Sequence, residues 1–340
     1  MYTIHGAHID VKCSLCGEFL MDNQTDTPTS SKVQMVRVER DQAGQRLDNF
    51  LLRRMKGLPR SRVYRLVRRG EVRVNKKRCK PEYKLEHGDN VRIPPFNGAE
   101  SGAVPLMVSD GLANMLREAI LHEDEQMLVL NKPAGLAVHR GSGIRLGIIE
   151  AIRQVQPDWA KAELVHRLDR DTSGVLLIAK DLKSLRTLQD QFRSQQVNKT
   201  YLALVCGSWP AEIRKIDAPL LKSEAVGGDR VVTVNPEGKA ATTYFNVLER
   251  FQGATLLEVK PETGRTHQIR VHCQHAGHGV VGDPKYDSPN SVGPGISAKY
   301  LCLHAKTLSF RLPGSGQPVE ISASLDSQFD SVLRSLRKAI

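Results

Sequence analysis

The stretch VHRLDRDTSG, residues 165–174, is the most informative segment of the chain. It places one His, two Arg and two Asp within six consecutive positions, between apolar segments that are typical of buried strands. Unpaired charges cost free energy in buried surroundings, so these side chains are expected to have a structural or functional role. The residues alone leave two interpretations equally open: a loop held by Arg–Asp pairs at the edge of a domain, or an active site that contains Asp169.

Two further segments carry side chains of the same kind. Residues 261–272, PETGRTHQIRVH, concentrate cations and hydrogen-bonding groups at a predicted turn from a strand into a helix. Gly264 permits a sharp turn there, and the first turn of a helix leaves backbone amides free. In NKTY, residues 198–201, Tyr201 stands at the start of an apolar strand. By itself a tyrosine in that position most often packs in the core, so it indicates a site only together with the other segments.

The region from 119 to 340 predicts an α+β fold. Its strand patterns outnumber its helical patterns and do not alternate regularly with them, which favours a mixed, largely antiparallel sheet over a doubly wound one. The predicted strands cover 127–130, 174–179, 201–205, 243–248, 255–259, 301–310 and 319–321. The predicted helices cover 182–192, with Asp181 as the cap, 266–275 and 328–336.

The excess positive charge of the chain is concentrated in one short block. The net charge is +12, and residues 36–95 hold 18 Lys and Arg against 7 Asp and Glu, a net of +11. The remaining residues hold 31 against 30, a net of +1. A chain that is nearly neutral outside one basic module is suited to dock that module on a polyanion.

The basic block shows the pattern helix, turn, helix, strand. Leu47, Phe50 and Leu51 share one helical face, and a second helix over 62–69 is apolar on one side and cationic on the other, with Ser61 as a plausible N-cap and Gly70 as its end. Short strands are predicted at 72–75 and 88–93. A solvated helix face is the alternative to nucleic-acid binding. The candidate RNA-binding residues are Arg60, Arg62, Arg65, Arg68, Arg69, Arg73, Lys76, Lys77 and Arg78.

These patterns divide the chain into four segments: a disordered leader over 1–33, the basic block over 34–95, a linker over 96–118 and a large domain over 119–340. Met35 directly precedes the organised sequence and is a second candidate start codon. Cys13 and Cys16 form one C-x-x-C, but no second closely spaced pair completes a zinc site, so no metal is expected.

Several classes of protein do not fit this sequence. No run approaches eighteen apolar residues, so a membrane span is not expected. The first thirty residues have neither the apolar stretch of a secretory signal nor the Arg-rich, acid-poor composition of a transit peptide. We therefore expect a cytoplasmic monomer without membrane association.

Taken together, the segments resemble the RluA-type pseudouridine synthase family over about residues 123–322. The resemblance is carried by LVLNKPAGLAVHRG, VHRLDRDTSGVLLIAK, NKTYLALV and PETGRTHQIRVH, in the family's order and spacing. The basic block, RLDNFL…SRVYRLVRRGEVRVNKKR…GDNVRIP, is similar to the S4 domain, an RNA-binding module. This combination implies a pseudouridine synthase fold behind a small α/β S4 domain, and the large-subunit ribosomal RNA as partner.

The resemblance also implies roles for individual residues. Asp169 becomes the catalytic carboxylate that converts uridine to pseudouridine, and Arg265 the basic residue that pairs with it and keeps it ionised. Tyr201 stacks on the target base and is a candidate for the C5 proton transfer, while Ile269 lines the other face of the base. Arg167 is our candidate to fill the space left by a flipped-out uridine. His166 joins the substrate-binding set, and it and Asp171 are expected to buttress the loop.

The reaction is an isomerisation, so it implies no cofactor and no metal. Attack by Asp169 on C1′ or C6 and removal of a 2′ proton both remain open. Two other functions also stay in view. A hydrolase could combine Asp169 with His267 or His272 as base, but the chain has no nucleophile elbow and a hydrolase gives no reason for an S4 module. A non-catalytic RNA-binding ribosome assembly factor would not need Asp169, Tyr201 and Arg265 together.

Overall fold

The computed structural model describes residues 32–55, 57–96, 107–140, 146–224, 230–286, 291–293 and 296–339. The chain divides into two compact units, with the boundary between Pro105 and Leu106. Apart from Lys32 and Val33, the predicted leader lies outside the described residues, as do Cys13 and Cys16. The limits of the four predicted segments stay predictions.

The first unit places two helices against a small sheet. Its elements are β1 (Gln34–Arg37), α1 (Leu47–Arg54), α2 (Arg60–Arg69), β2 (Arg73–Val74) and β3 (Asn90–Ile93). The strands form an antiparallel sheet in the order β1-β3-β2. Gly70 ends α2 in the left-handed conformation, as predicted. Ser61 is not the N-cap, because the helix begins a residue before it and Pro59 occupies that position.

A buried carboxylate fixes the two helices of this unit. Phe50, Leu51, Val63 and Val67 pack in its core. Within that core Asp48 is 1% exposed, and it accepts bonds from the Arg46 guanidinium and from the Tyr64 hydroxyl at 2.6 Å. Burial raises the pKa of Asp48, but the bonds from Arg46 and Tyr64 outweigh it and leave the pKa below its usual value. The ionised Asp48 therefore ties α1 to α2.

The second unit is formed by a large sheet with helices on it. Its strands are β4 (Ile120–Glu123), β5 (Met127–Lys132), β6 (Glu163–Leu164), β7 (Ser173–Ala179), β8 (Asn198–Cys206), β9 (Lys215–Asp217), β10 (Leu220–Glu224), β11 (Arg230–Val234), β12 (Thr242–Phe251), β13 (Ala254–Pro261), β14 (Ser291–Gly293), β15 (Ile296–Ser297), β16 (Leu303–Arg311) and β17 (Pro318–Ser322). Its helices are α3 (Asp110–Glu118), α4 (Ile148–Val155), α5 (Leu182–Arg193), α6 (Gln268–His275) and α7 (Ser327–Lys338).

The main sheet has the order β4-β5-β7-β16-β8-β13-β12-β9, with β6 on β7 and β17 on β16. Its described pairs are antiparallel except β7–β16, which is parallel. The structure thus confirms the predicted α+β fold with a mixed, largely antiparallel sheet. Each of the seven predicted strands overlaps one of these strands. None of the helices in the described residues has the length and apolar composition needed to cross a membrane.

Strand β7 is covered on both of its faces. All seven of its residues are buried. Leu176 and Ile178 pack in the cluster that contains α4, whereas Val175 and Leu177 pack in the cluster that contains Leu188 of α5. This alternation follows from the two-residue period of a strand. The segment VHRLDRDT, residues 165–172, therefore directly precedes a strand whose residues are all buried.

The turn before α6 is longer than predicted and is held by one carboxamide. The prediction placed the helix start at 266, but α6 begins at Gln268. The Gln268 Oε1 accepts the Thr263 hydroxyl at 2.7 Å and the Arg265 amide at 3.0 Å. Its Nε2 donates to Thr242 O and Thr243 Oγ1. These bonds keep residues 263–267 in a closed turn against β12.

The second half of the predicted linker is packed structure. Its residues 97–106 lie outside the described part of the chain, but α3 occupies Asp110–Glu118. Ser109 caps this helix, and Leu116 is fully buried in the same core cluster as Leu130 and Ile152. Residues 109–118 therefore belong to the second unit rather than to a linker.

Candidate active site

The three polar segments of the second unit meet around one cavity of about 330 Å³. Its lining comes from the crossing before β7, from the first half of β8, and from the turn and first helical turn around α6. All six residues that the sequence proposed for catalysis and substrate binding lie in this lining: Asp169, Tyr201, Arg265, Arg167, Ile269 and His166. The structure brings these residues together, while their individual roles stay predictions.

Asp169 is held by only one of its two carboxylate oxygens. Oδ2 accepts a bond from the Arg270 Nη1 at 2.9 Å, and the His267 Nε2 lies 3.8 Å from the same oxygen. Oδ1 has no hydrogen bond or ion pair within the described residues. The side chain is 28% exposed. One oxygen of Asp169 is thus anchored, and the other remains available to a ligand in the cavity.

Arg270, rather than Arg265, is the arginine that pairs with Asp169. Its Nε and Nη2 each bind an oxygen of Asp283 at 2.7 Å, and the Asp283 side chain is fully buried. Burial lowers the pKa of Arg270, but Asp283 and then Asp169 outweigh it and raise that pKa above its usual value. Arg270 is therefore a permanent cation that bridges a buried carboxylate and the carboxylate of the cavity.

The pairing proposed for Arg265 is wrong for a geometric reason. Arg265 precedes α6, and its Nε donates to Ala240 O at 3.0 Å, on the exposed side of the turn. Arg270 lies within α6, three residues after His267, so both side chains reach the same surface of the cavity. The H-x-x-R spacing in THQIR was the available sequence signal for Arg270. Arg265 still lines the cavity.

His267 adopts an uncommon backbone conformation beside Asp169. Its φ of 54° is left-handed, a conformation that costs energy for a residue other than glycine and is common at functional sites. The Tyr286 hydroxyl lies 2.7 Å from Nδ1 and also accepts the Val232 amide. Burial, with the charges of Arg270 and Lys285, lowers the His267 pKa. The His267 ring therefore lies beside the Asp169 carboxylate, with its position fixed by Tyr286.

Tyr201 and Ile269 supply the apolar walls of the cavity. Tyr201 is half-buried on β8, and Ile269 is 6% exposed on α6. Burial, together with the nearby charge of Asp169, raises the pKa of Tyr201 well above its usual value. The phenol therefore stays protonated at neutral pH and offers an aromatic surface with a hydroxyl.

The neighbours of Asp169 divide into fixed and open side chains. The His166 Nε2 accepts the Leu177 amide at 3.0 Å, and its ring stacks on Phe192. Burial, aided by the charge of Lys199, lowers the pKa of His166 to about 4. Asp171 pairs with Arg170. Arg167 is exposed, and its guanidinium has no hydrogen bond or ion pair within the described residues.

A buried lysine that the sequence analysis did not single out supports the Asp169 segment. Lys132 is fully buried, and its Nζ donates to Pro133 O, Leu136 O and Arg170 O at 2.8, 2.9 and 2.8 Å. Burial lowers its pKa to about 7, although the charges of Asp171, Asp169 and others oppose the shift. Since an ammonium has three donors, every one is used, and one of them fixes the residue that follows Asp169.

The first unit presents the cations that the sequence assigned to RNA. Eight of the nine candidate side chains are exposed, and Arg62 is half-buried. The set comprises Arg60, Arg62, Arg65, Arg68 and Arg69 on α2, then Arg73, Lys76, Lys77 and Arg78 around β2. Exposed cations of one sign on one small unit are suited to a phosphate backbone.

Two family models identify the class of protein to which this chain belongs. The family model for RNA pseudouridylate synthase matches residues 126–275, and the S4 domain model matches residues 45–91. The chain belongs to the RNA pseudouridine synthase family and carries an S4 domain. A solved structure, human RNA pseudouridylate synthase domain containing 4, is 27% identical and superimposes with a TM-score of 0.54, covering 67% of this chain and 96% of its own.

The relatives of higher identity share one name, ribosomal large subunit pseudouridine synthase C. The protein from Haemophilus influenzae is 47% identical over 322 residues, which cover 94% of this chain and 100% of the relative. The protein from Yersinia pestis is 50% identical over 310 residues, or 90% and 96% of the two chains. The protein from Escherichia coli K12 is 48% identical over 322 residues, or 93% and 99%.

Proposed function

We propose that this protein isomerises uridines to pseudouridine in large-subunit ribosomal RNA, with Asp169 as the catalytic carboxylate acting on a flipped-out base. The observation that carries the proposal is the asymmetry of Asp169 in the cavity. Arg270 holds Oδ2 at 2.9 Å, and Oδ1 has no partner within the described residues. A carboxylate held in this way is fixed in orientation and accessible to substrate.

The conversion of uridine to pseudouridine requires a carboxylate of this kind. The bond from N1 to C1′ breaks, the uracil turns, and C5 joins C1′ with loss of the C5 proton and gain of a proton at N1. Asp169 can serve this reaction as a nucleophile toward C1′ or C6, or as a base toward the 2′ carbon. In either route its arginine partner holds the group in position before reaction.

The cavity walls support a flipped uridine. A base inside a helical stack cannot be reached, so the uridine must leave it, and a pocket with an aromatic wall receives an extruded base well. Tyr201 and Ile269 provide the aromatic and aliphatic walls. Arg167, exposed at the cavity and without a side-chain partner in the described residues, is our candidate to occupy the vacated place in the RNA.

The choice of ribosomal RNA is supported by the relatives and by the S4 domain. Ribosomal large subunit pseudouridine synthase C from three bacteria is 47–50% identical to this chain over nearly its full length. The S4 unit carries a cationic surface that matches structured RNA. Such a module contributes affinity and orientation through phosphates rather than base identity.

Tritium release from large-subunit ribosomal RNA labelled at the C5 of its uridines tests the proposal. We expect the protein to release tritium while every base and every phosphodiester stays in place, because isomerisation expels the C5 proton and nothing else. Small-subunit ribosomal RNA with the same label is the control and should release little. Release of free uracil would identify a hydrolase, and tight binding without tritium release would identify an assembly factor.

Neutralising part of the cationic helix should weaken RNA binding and its dependence on salt. The variant Arg65→Gln, Arg68→Gln, Arg69→Gln removes three exposed charges of α2. The slope of log Kd against log salt should fall by about one for each phosphate that the variant no longer binds. The control variant Lys161→Gln, Lys183→Gln, Lys338→Gln removes three exposed charges of the second unit. Equal salt slopes for the two variants would contradict an anchoring role for the S4 unit.

A further inference from the structure

The cavity holds more positive charge than its own carboxylate can neutralise. Among the described residues that line it, four are cations and one is a carboxylate, Asp169. Asp169 is already paired with Arg270, which Asp283 also holds. No ion pair within the described residues involves the other three cations, which are Arg167, Lys199 and Arg265. The cavity is therefore built for a ligand that brings negative charge.

Lys199 is the member of this set that is withdrawn from solvent. Its side chain is half-buried, and within the described part of the chain its Nζ makes one hydrogen bond, to Thr263 O at 3.3 Å. An ammonium has three donors, so the long bond to Thr263 leaves most of its capacity unused. Burial lowers the pKa of Lys199, because removal from solvent disfavours the charged ammonium. Its neighbour His166 is neutral and supplies no compensation.

The position of Lys199 on β8 relates it to the target base. Lys199 and Tyr201 are two residues apart on this strand, so they share one face and are separated by roughly 7 Å along it. Both line the cavity. A uridine whose base lies against Tyr201 therefore has its sugar–phosphate within reach of Lys199.

We propose that Lys199 binds a phosphate group directly flanking the target uridine, and that this contact seats the flipped nucleotide in the cavity. The inference rests on the proposed function, since it assumes a nucleotide in this cavity. A phosphate supplies both the missing charge and the missing acceptors. A uracil carbonyl would supply an acceptor without the charge. In a purely structural role, Lys199 would contact only the 263–267 turn and no part of the RNA.

A double-mutant cycle between protein and RNA tests this inference. The substrates are a ribosomal RNA fragment that the wild-type protein modifies and the same fragment with a neutral methylphosphonate on the 5′ or the 3′ side of the target uridine. The variants are Lys199→Gln, Lys199→Arg and, as a control outside the cavity, Lys161→Gln. The readouts are Kd and single-turnover tritium release.

On the all-phosphate RNA we expect Lys199→Gln to weaken binding about 10- to 100-fold, the range for a charge-assisted hydrogen bond, and Lys161→Gln to stay near wild type. One of the two methylphosphonates should weaken the wild-type protein similarly, and on that RNA Lys199→Gln should add little. Lys199→Arg keeps the charge, so it should lose less affinity for the all-phosphate RNA than Lys199→Gln does. The two variants should bind the RNA with that methylphosphonate equally well.

The phosphate contact would be overturned if Lys199→Gln and the methylphosphonate weakened binding independently, so that their fold-losses multiply, at both flanking positions. That result would point to a contact of Lys199 with the base carbonyl or with the turn. The Lys199→Arg variant gives a second way to overturn the phosphate contact. The contact would be contradicted if this variant bound the all-phosphate RNA more weakly than wild type but lost as much affinity as wild type with each methylphosphonate. This arm also decides the matter if Lys199→Gln does not fold. Absence of tritium release from the wild-type protein on unmodified RNA would instead contradict the proposed function.

Discussion

Asp169→Asn is expected to abolish tritium release from large-subunit ribosomal RNA, lowering the single-turnover rate on the order of 10⁴-fold or more, as loss of an essential catalytic group does. The reason is chemical rather than structural. An amide has the size and shape of a carboxylate, and its oxygen can still accept the bond from the Arg270 Nη1 that Oδ2 receives at 2.9 Å. What it lacks is the charge and basicity that attack on the ribose or the ring requires.

The affinity of Asp169→Asn for RNA should stay within a few-fold of wild type, measured by filter binding on the same RNA. The matched control is Asp158→Asn, because Asp158 is exposed and does not line the cavity. This control should keep most of its activity. A fully active Asp169→Asn variant, or equal losses in both variants, would remove Asp169 from the catalytic role.

Much of the second unit could be predicted because its signals are local. Strand β7 is recognisable in the sequence as a run of apolar residues. Asp181, predicted as a helix cap, accepts hydrogen bonds from the Lys183 and Ser184 amides. Helix α3 escaped prediction because nearby glycines and a proline dominated the composition of 96–118, while its packing depends on Leu116 meeting distant residues. The residues of the cavity were found because their segments resemble a known family.

The electrostatics of the site could not be predicted because its partners are far apart in sequence. The bond from Arg270 to Asp169 joins residues 101 positions apart, and Lys132 reaches the carbonyl of Arg170 across 38 positions. Sequence alone could not choose between Arg265 and Arg270, since both lie in the same short motif and only the start of α6 decides which one reaches Asp169. Asp283, the anion that fixes Arg270, carried no local signal at all.

Removing Arg270 is expected to damage both stability and activity. Arg270→Met leaves the carboxylate of Asp283, whose side chain has no solvent exposure, without its bidentate partner. Loss of one member of a buried ion pair costs about 3–5 kcal/mol, so urea unfolding should show a decrease of that size in the free energy of unfolding. Arg337→Met is the matched control, because Arg337 pairs with Glu249 at the surface and should cost less than about 1 kcal/mol.

A second substitution separates the two effects of Arg270. In Arg270→Met, Asp283→Asn the buried charge is gone together with its partner, so most of the original stability should return. Activity should not return, because Asp169 still lacks the guanidinium that holds Oδ2 in place. Tritium release is the measurement for the second statement. If the double variant recovered both stability and activity, Arg270 would be a structural residue whose contact with Asp169 has no part in the reaction. If it recovered stability alone, the bridge between the buried carboxylate and the cavity would be what prepares Asp169 for chemistry.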